Sequence, residues 1–243
     1  MKLTVIGQWG GYPAPDGATS AYLIEKDGFT LLIDAGSGSL SKLQKYKKVM
    51  DLDAVVISHY HADHIADIGV LQYAWLVNSY VTGNKEILPI YGHTEDREGF
   101  EALTHKCTEG IAYDPEKQLE IGPFTVTFQK TVHPVPCYGM RISDGDSTVV
   151  YTADSAFSEA WYDFAKNTDL LITDCNFYAD QEGSKAGHMN SIDGAAIARE
   201  ANVRELLLSH LPQYGDNNKL VEEAEQFFTG TVQLAHSGFT WAK

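Results

Sequence analysis

The chain has little sulfur chemistry to offer. Its three cysteines, Cys107, Cys137 and Cys175, are odd in number and form no CxxC pair. That argues against a disulfide framework or a thiolate zinc site, and a reducing compartment is the expectation. Cations are also few, with 18 Lys and Arg against 33 Asp and Glu and a net charge of −15. A generic binder of nucleic-acid backbones needs a basic surface, so that class is disfavoured, although metals could create a local positive site. Long apolar runs are missing. The start, MKLTVIGQWGG, is too short an apolar run for a signal peptide, and no stretch approaches the roughly 20 apolar residues of a membrane span. A cytoplasmic location is expected. No Pro/Gly/Ser-rich linker, low-complexity tract or short-period repeat is visible. The 243 residues, 44% hydrophobic, are enough to bury a substantial core.

What does recur is an apolar, β-prone run that ends on a polar residue. TLLID ends at Asp34, AVVISH at His59, VVYTAD at Asp154, LLITD at Asp174 and LLLSH at His210. Such runs read as buried strands, and strand ends are where open α/β sheets place functional groups. Helical patterns cover 39–48, 65–78, 95–106, 157–166, 191–201 and 220–227, with Ser191 a candidate N-cap. The segment 124–132, FTVTFQKTV, alternates as an antiparallel strand, and Asp144-Gly145-Asp146 signals a hairpin. The pattern predicts a layered α/β or α+β body with two sheets and outer helices.

The densest chemistry lies in SHYHADH, residues 58–64, which holds three of the nine histidines. Imidazole and carboxylate are the usual ligands of zinc and similar divalent metals. His59 and His61 are two apart and point the same way in an extended loop. Asp63 and His64 fall where a helix would begin at Ile65. Two ligands can thus aim at one point and two at a neighbouring point, which suits two metals better than one. His133, Asp154 and His210 are the candidates to complete the set. Alone, each would read as a hydrogen-bonded structural His or a helix-capping Asp.

The motif HxHxDH at 59–64, followed by isolated His133, Asp154 and His210, resembles the metallo-β-lactamase superfamily, and Asp34 in LLIDAG is similar to that family's first motif. The resemblance runs over essentially the whole chain. It implies one domain, residues 1–243, folded as a four-layer αββα sandwich. It implies two divalent metal ions, zinc first, with manganese or iron also accepted by such ligands. His59, His61 and His133 would bind one metal, and Asp63, His64 and His210 the other. Asp154 would bridge them, and Asp34 would orient the ligand loop.

The family performs many reactions, so the branch must come from particular residues. His61 stands where flavo-diiron members have Glu. Asp154 and the lack of a signal argue against a secreted β-lactamase. The short stretch after His210 sets the expectation of no added helical domain of the glyoxalase II type. Phosphodiesterase and lactonase remain. LLITDCNF and AGHMNSIDGAAIARE resemble two stretches of the ribonuclease Z branch, in which an acidic residue and a His pair beside the metals. Here these would be Asp174, one methylene shorter than the family's Glu, and His188. Such a pair suits phosphodiester cleavage, where a poor alkoxide leaving group needs a proton. The resemblance gives catalytic roles to His188, Asp174 and Asp63, with a metal-bridging hydroxide as nucleophile and His188 as general acid.

Only 21 positions separate His133 from Asp154, enough for a hairpin but not for a tRNA-clamping arm, and residues 13–19 carry no basic group where the branch has a PxKxRN-type loop. Pre-tRNA is therefore disfavoured, and a small phosphodiester, such as a cyclic nucleotide or related cyclic phosphate, is the expected substrate. A lactonase or other ester hydrolase is the alternative. A non-enzymatic scaffold would not need a complete ligand set. The loop Gly7 to Tyr12 reads equally as a substrate border or as a glycine-dependent turn. Tyr73, Trp75 and Tyr80 could stack on a base, but aromatics at helical spacing more often serve a core or an interface. The same helix, with its continuation VTGNKEI, reads equally well as the face of a homodimer.

Overall fold

The computed structural model describes residues 1–243. Its strands are β1 (Lys2–Gly7), β2 (Ala21–Lys26), β3 (Phe29–Ile33), β4 (Ala54–Val56), β5 (Leu88–Gly92), β6 (Thr108–Ala112), β7 (Leu119–Ile121), β8 (Phe124–Lys130), β9 (Tyr138–Ser143), β10 (Thr148–Tyr151), β11 (Leu170–Asp174), β12 (Glu205–Ser209), β13 (Thr231–Leu234) and β14 (Thr240–Ala242). Its helices are α1 (Ser39–Leu43), α2 (Ala62–Ile65), α3 (Ile68–Thr82), α4 (Arg97–Glu101), α5 (Ala160–Phe164), α6 (Ser191–Glu200) and α7 (Asn218–Ala224). The chain divides into two compact units. One holds residues 1–114, 121–123 and 236–243, the other 115–120 and 124–235.

The first unit is built on a seven-stranded sheet ordered β14-β1-β2-β3-β4-β5-β6. β1, β2 and β3 run antiparallel, and β3 to β6 are parallel. Leu23, Leu32, Val55 and Ile90 project from the sheet into a core closed by Leu40 and Leu43 of α1 and by Ile68, Leu71 and Trp75 of α3. Trp75 is therefore a core residue. The helix expected from Ile65 is two pieces. A single turn, α2, carries Asp63 and His64, and α3 starts only at Ile68, after Asp67 leaves helical geometry. Gly83, in the left-handed conformation, ends α3. The pattern at 95–106 yields only the short α4, because the Gln72 side-chain amide takes the carbonyls of Ala102 and Leu103 at 3.0 and 3.1 Å. A tertiary partner has replaced the helical ones there.

The second unit carries a sheet ordered β13-β12-β11-β10-β9-β8-β7. β10, β11, β12 and β13 are parallel, and β8, β9 and β10 are antiparallel. The hairpin expected at 144–146 joins β9 to β10, with Asp144 Oδ1 accepting from the N–H groups of Asp146 and Ser147 at 3.0 and 2.7 Å. The expected N-cap of α6 is shifted by one. Asn190, not Ser191, caps the helix, accepting from Ile192 and Asp193 N–H, while the Asp193 carboxylate accepts from Asn190 N–H. Ser191 instead donates to buried Glu223 at 2.6 Å. The capping box satisfies two helix-end donors at once, which a single Ser could not do.

Parallel strands bring all their C-terminal ends to one edge of a sheet, and crevices outside that edge are where such sheets hold ligands. In the first unit the register Ile33↔Val56 puts Asp34 beside the chain leading to Ser58 and His59. In the second, Tyr151↔Ile172 and Asp174↔Ser209 put Asp154, Asp174 and His210 at a common edge. At three of these exits a residue other than glycine takes a positive φ: Asp34 at 54°, Ala153 at 51° and His210 at 53°. The left-handed bend turns the chain sharply and concentrates backbone strain where the polar side chains emerge.

Candidate functional site

In the first unit the organiser is Asp34. Wholly buried at the end of β3, it accepts from Ser58 N–H at 2.8 Å and from Ser58 Oγ–H at 2.8 Å. Its Oδ2 also lies 2.8 Å from His64 Nδ1. A carboxylate oxygen only accepts, so His64 carries its proton on Nδ1 and its lone pair on Nε2. The Ser58 hydroxyl spends its single proton on Asp34, so its oxygen accepts from His59 Nδ1, 3.1 Å away. His59 Nε2 then also carries a lone pair. One carboxylate thus sets two imidazoles in the tautomer that a metal ligand needs.

The turn carrying Asp63 and His64 is locked to the same carboxylate loop. Ala35 N–H donates to His64 C=O at 2.8 Å, and Asp67 N–H donates to Ala35 C=O at 3.0 Å. Gly36 lies so close that a Cβ there would meet Asp63 C=O at 2.0 Å. The LLIDAG stretch therefore needs its Asp for hydrogen bonding and its Gly for close approach. Gly11 N–H donates to Asp63 Oδ2 at 2.8 Å, and that oxygen lies 3.6 Å from His64 Nε2. The ring centroids of His59 and His61 are 4.9 Å apart and those of His59 and His64 are 4.1 Å apart, so the three imidazoles form one cluster.

In the second unit the corresponding organiser is Asp174, at the end of β11. Its Oδ2 accepts from Ser155 N–H at 3.1 Å and lies 2.8 Å from His188 Nδ1; its Oδ1 accepts from Asn176 N–H at 3.2 Å. The shorter aspartate does reach His188. Oδ1 also faces His210 Nδ1 at 3.5 Å. Asp154 turns one oxygen to each of two rings: Oδ1 is 3.3 Å from His210 Nε2, and Oδ2 is 3.9 Å from His133 Nε2. His133 Nδ1 lies 3.1 Å from Gly187 C=O, so it carries the proton and leaves the lone pair on Nε2. Asp154, Asp174, His188 and His210 each offer a ligand atom, all within 4.8 Å of one another.

These spacings suit metal coordination. Ligand bonds of roughly 2.0–2.2 Å in a tetrahedral shell place neighbouring ligand atoms about 3.3–3.6 Å apart. The Asp63–His64 and Asp154–His210 pairs fall at 3.6 and 3.3 Å, and the Asp154–His133 pair at 3.9 Å is slightly wider. A carboxylate with each oxygen toward a different imidazole is the arrangement a bridging ligand requires. The donor set is all nitrogen and oxygen, which suits zinc, manganese or iron.

His188 differs from His64 in its access to solvent. Its side chain is 17% exposed, against 0% for His64. Burial works against its charged form, but the nearby Asp174 carboxylate and their hydrogen bond outweigh this and raise its pKa above the ordinary histidine value. Its ring stacks on His210, with centroids 5.0 Å apart and planes 17° from parallel.

All the expected residues thus emerge at strand ends or in the turns that follow. Three participants escaped the sequence reading as functional groups: Ser58, Gly11 and Gly187. Each stands next to a flagged stretch or within one, and their roles rest on backbone groups or on relay through a hydroxyl, which leave no compositional signature.

The Beta-lactamase superfamily domain matches residues 30–211, so the chain belongs to that superfamily. It is 55% identical over 242 residues, covering 99% of both chains, to a Bacillus subtilis protein named probable metallo-hydrolase YhfI. The crystal structure of the metallo-β-lactamase fold protein YhfI matches with a TM-score of 0.98, at 54% identity, over 99% of this chain and 98% of that one. The chain is also 25% identical to a ribonuclease Z of Metallosphaera sedula, over 94% of each chain. At 20% identity, the short form of human tRNase Z shares the fold, with a TM-score of 0.79 over 100% of this chain and 99% of that one. The expected metallo-β-lactamase fold is borne out. No helix is long and apolar enough to cross a membrane.

Proposed function

We propose that this protein is a dinuclear metal-dependent hydrolase acting on a small phosphodiester. As the family resemblance implies, His59, His61, Asp63, His64, His133, Asp154 and His210 would hold two divalent cations, zinc foremost. The metallo-hydrolase name of the B. subtilis relative and the ribonuclease Z name of the archaeal one support this class. Bound cations supply an activated water and offset the charge gathering on phosphate oxygens. The chain's own residues do the rest. Asp34 and Ser58 fix the ligand tautomers, and the Gly11 N–H holds Asp63 turned toward His64. His188 gives a proton from Nε2 to the leaving oxygen, while Asp174 holds Nδ1–H and stabilises the charged ring.

The observation that carries the phosphodiester reading is the 2.8 Å Asp174–His188 pair beside Asp154 and His210. A lactone's alkoxide stays tethered to its product and has less need of such an acid. The test is turnover of bis(p-nitrophenyl) phosphate with zinc or manganese, beside a simple lactone, for the native protein and His188→Ala. Diester turnover should fall about 10²–10⁴-fold in the variant with both metals retained. Lactone turnover that ignores the substitution, with little diester turnover, would make the lactonase reading the leading one.

We also propose that the partner of α3 is a second copy of this chain. Five of the twelve exposed large apolar side chains lie on this helix: Val70, Tyr73, Val77, Tyr80 and Val81, which repeat at three- and four-residue steps. None of its fifteen residues is charged, in a chain of net charge −15. Two copies repel everywhere except across such a face, and a basic partner would find no acid there to bind. Beside its C-terminal end lies a groove of about 460 Å³ that Tyr80 and Ile87 help to line. Light scattering should give a dimer that Tyr80→Glu with Val77→Glu converts to monomer; a native monomer at high concentration overturns the idea.

A further inference from the structure

Resting on the proposed metal centre, we infer that Gly187 is a positioning residue that couples a metal ligand, His133, to the general acid, His188. Gly187 ends the 3-10 turn Ser184–Ala186 with φ 83° and ψ 32°, and its N–H donates to Ser184 C=O at 3.0 Å. Its own carbonyl turns the other way, onto His133 Nδ1 at 3.1 Å. The next residue is His188, whose N–H donates to Gly183 C=O at 3.1 Å and whose Nδ1 meets Asp174 at 2.8 Å. A single peptide therefore lies between the group that orients the His133 ring and the group that donates the proton. The two rings are 5.3 Å apart, centroid to centroid, and edge-on at 69°.

Two independent facts fix glycine at this position. The left-handed backbone disfavours any side chain. In addition, a Cβ would meet Pro134 Cδ at 2.6 Å, His133 Nδ1 at 2.8 Å and His133 Cα at 3.1 Å. The clash is with the ligand residue itself, and with the proline ring that restricts its backbone. Any side chain at 187 thus pushes on His133 before it pushes on the rest of the fold. Loss of the carbonyl contact releases the Nδ1 proton and with it the tautomer that leaves Nε2 for metal. Because His188 follows directly, the same displacement moves the acid relative to Asp174. Outer partners of ligating histidines typically carry 10–100-fold in metal affinity.

A matched control is available. Gly145, in the β9–β10 hairpin, has φ 87° with nothing within 4 Å of a built Cβ. Gly145→Ala bears the left-handed strain alone; Gly187→Ala bears it and crowds His133. The experiment compares the two variants and the native protein by zinc competition against a chelator, by thermal unfolding of the metal-free forms, and by diester kcat and KM. The expected result is a metal affinity weakened about 10–100-fold in Gly187→Ala and unchanged in Gly145→Ala, with metal-free Gly187→Ala unfolding at the lower temperature because of its added clash, and with kcat falling more than KM changes. Equal affinities overturn the inference. Should Gly187→Ala fail to fold, ¹⁵N shifts of His133 in the metal-free native protein decide it: Nδ1 protonated supports, Nε2 protonated overturns. If the native protein binds no metal, the proposed centre fails by itself, and the His133 tautomer still tests the Gly187 contact.

Discussion

The two units use one device in two settings. In each, an aspartate at the C-terminal end of a buried parallel strand accepts one backbone N–H from the segment after the adjacent strand and holds a histidine by Nδ1 at 2.8 Å. Asp34 is enclosed, and so is its histidine, His64. Asp174 is as buried, yet its histidine, His188, keeps an edge to solvent. A closed pair can hold a ring still, but it cannot pass a proton to a substrate. An open pair can do both. In the proposed mechanism the same hydrogen bond serves as support in one unit and as acid catalysis in the other, and the difference lies in access rather than in bonding.

The largest effect follows from removing the closed organiser. Asp34→Ala strands the Ser58 donors and the His64 Nδ1–H in a dry interior. It should cost on the order of 3–5 kcal/mol in urea unfolding and release metal as well. A loss under about 1 kcal/mol would break the claim that Asp34 is a buried keystone. Next comes Asp174→Asn. The single amide oxygen can accept from Ser155 N–H or from Asn176 N–H but not from both, so stability should fall by about 1–3 kcal/mol, while diester kcat falls roughly 10²-fold or more with the charge gone from behind His188. If Asp174→Asn unfolds the protein as Asp34→Ala does, the two aspartates are not used differently. The smallest effect is expected at Ala153. Glycine there relieves a left-handed strain of roughly 1–2 kcal/mol but loses backbone order and a buried methyl, each about 0.5–1 kcal/mol. Ala153→Gly should leave the urea midpoint nearly unchanged and lower turnover by loosening Asp154; a large stability gain would mean that the strain at this exit is not offset.

Much of this was legible in order along the chain. The runs ending at Asp34, Asp154, Asp174 and His210 are read as strands because Leu, Ile and Val cluster without a helical period, and their polar ends mark the candidate site. The hairpin at Asp144-Gly145-Asp146 followed from turn chemistry alone. Helix ends were read less well, for local reasons. Asp67 breaks the pattern after Ile65, Gln72 captures the carbonyls that a longer α4 would use, and Asn190 with Asp193 outcompetes Ser191 as a cap. Each of these is a contest between a local preference and a partner that the sequence does not mark.

The sequence by itself determined where imidazoles and carboxylates gather, because such groups at strand ends leave a pattern of type and spacing. It also determined the hairpin and most strands, because turn residues and apolar runs act over a few positions. Tertiary structure alone decided which nitrogen of His59, His64 and His133 carries a proton. It decided that Asp174 reaches His188, and that Gly36 and Gly187 have no room for a side chain. Those facts depend on atoms brought within about 3 Å from distant parts of the chain, through a hydroxyl, a carbonyl or a missing Cβ. Parallel strand pairing is the step that gathers them, since it carries the ends of separate runs to one edge of each sheet.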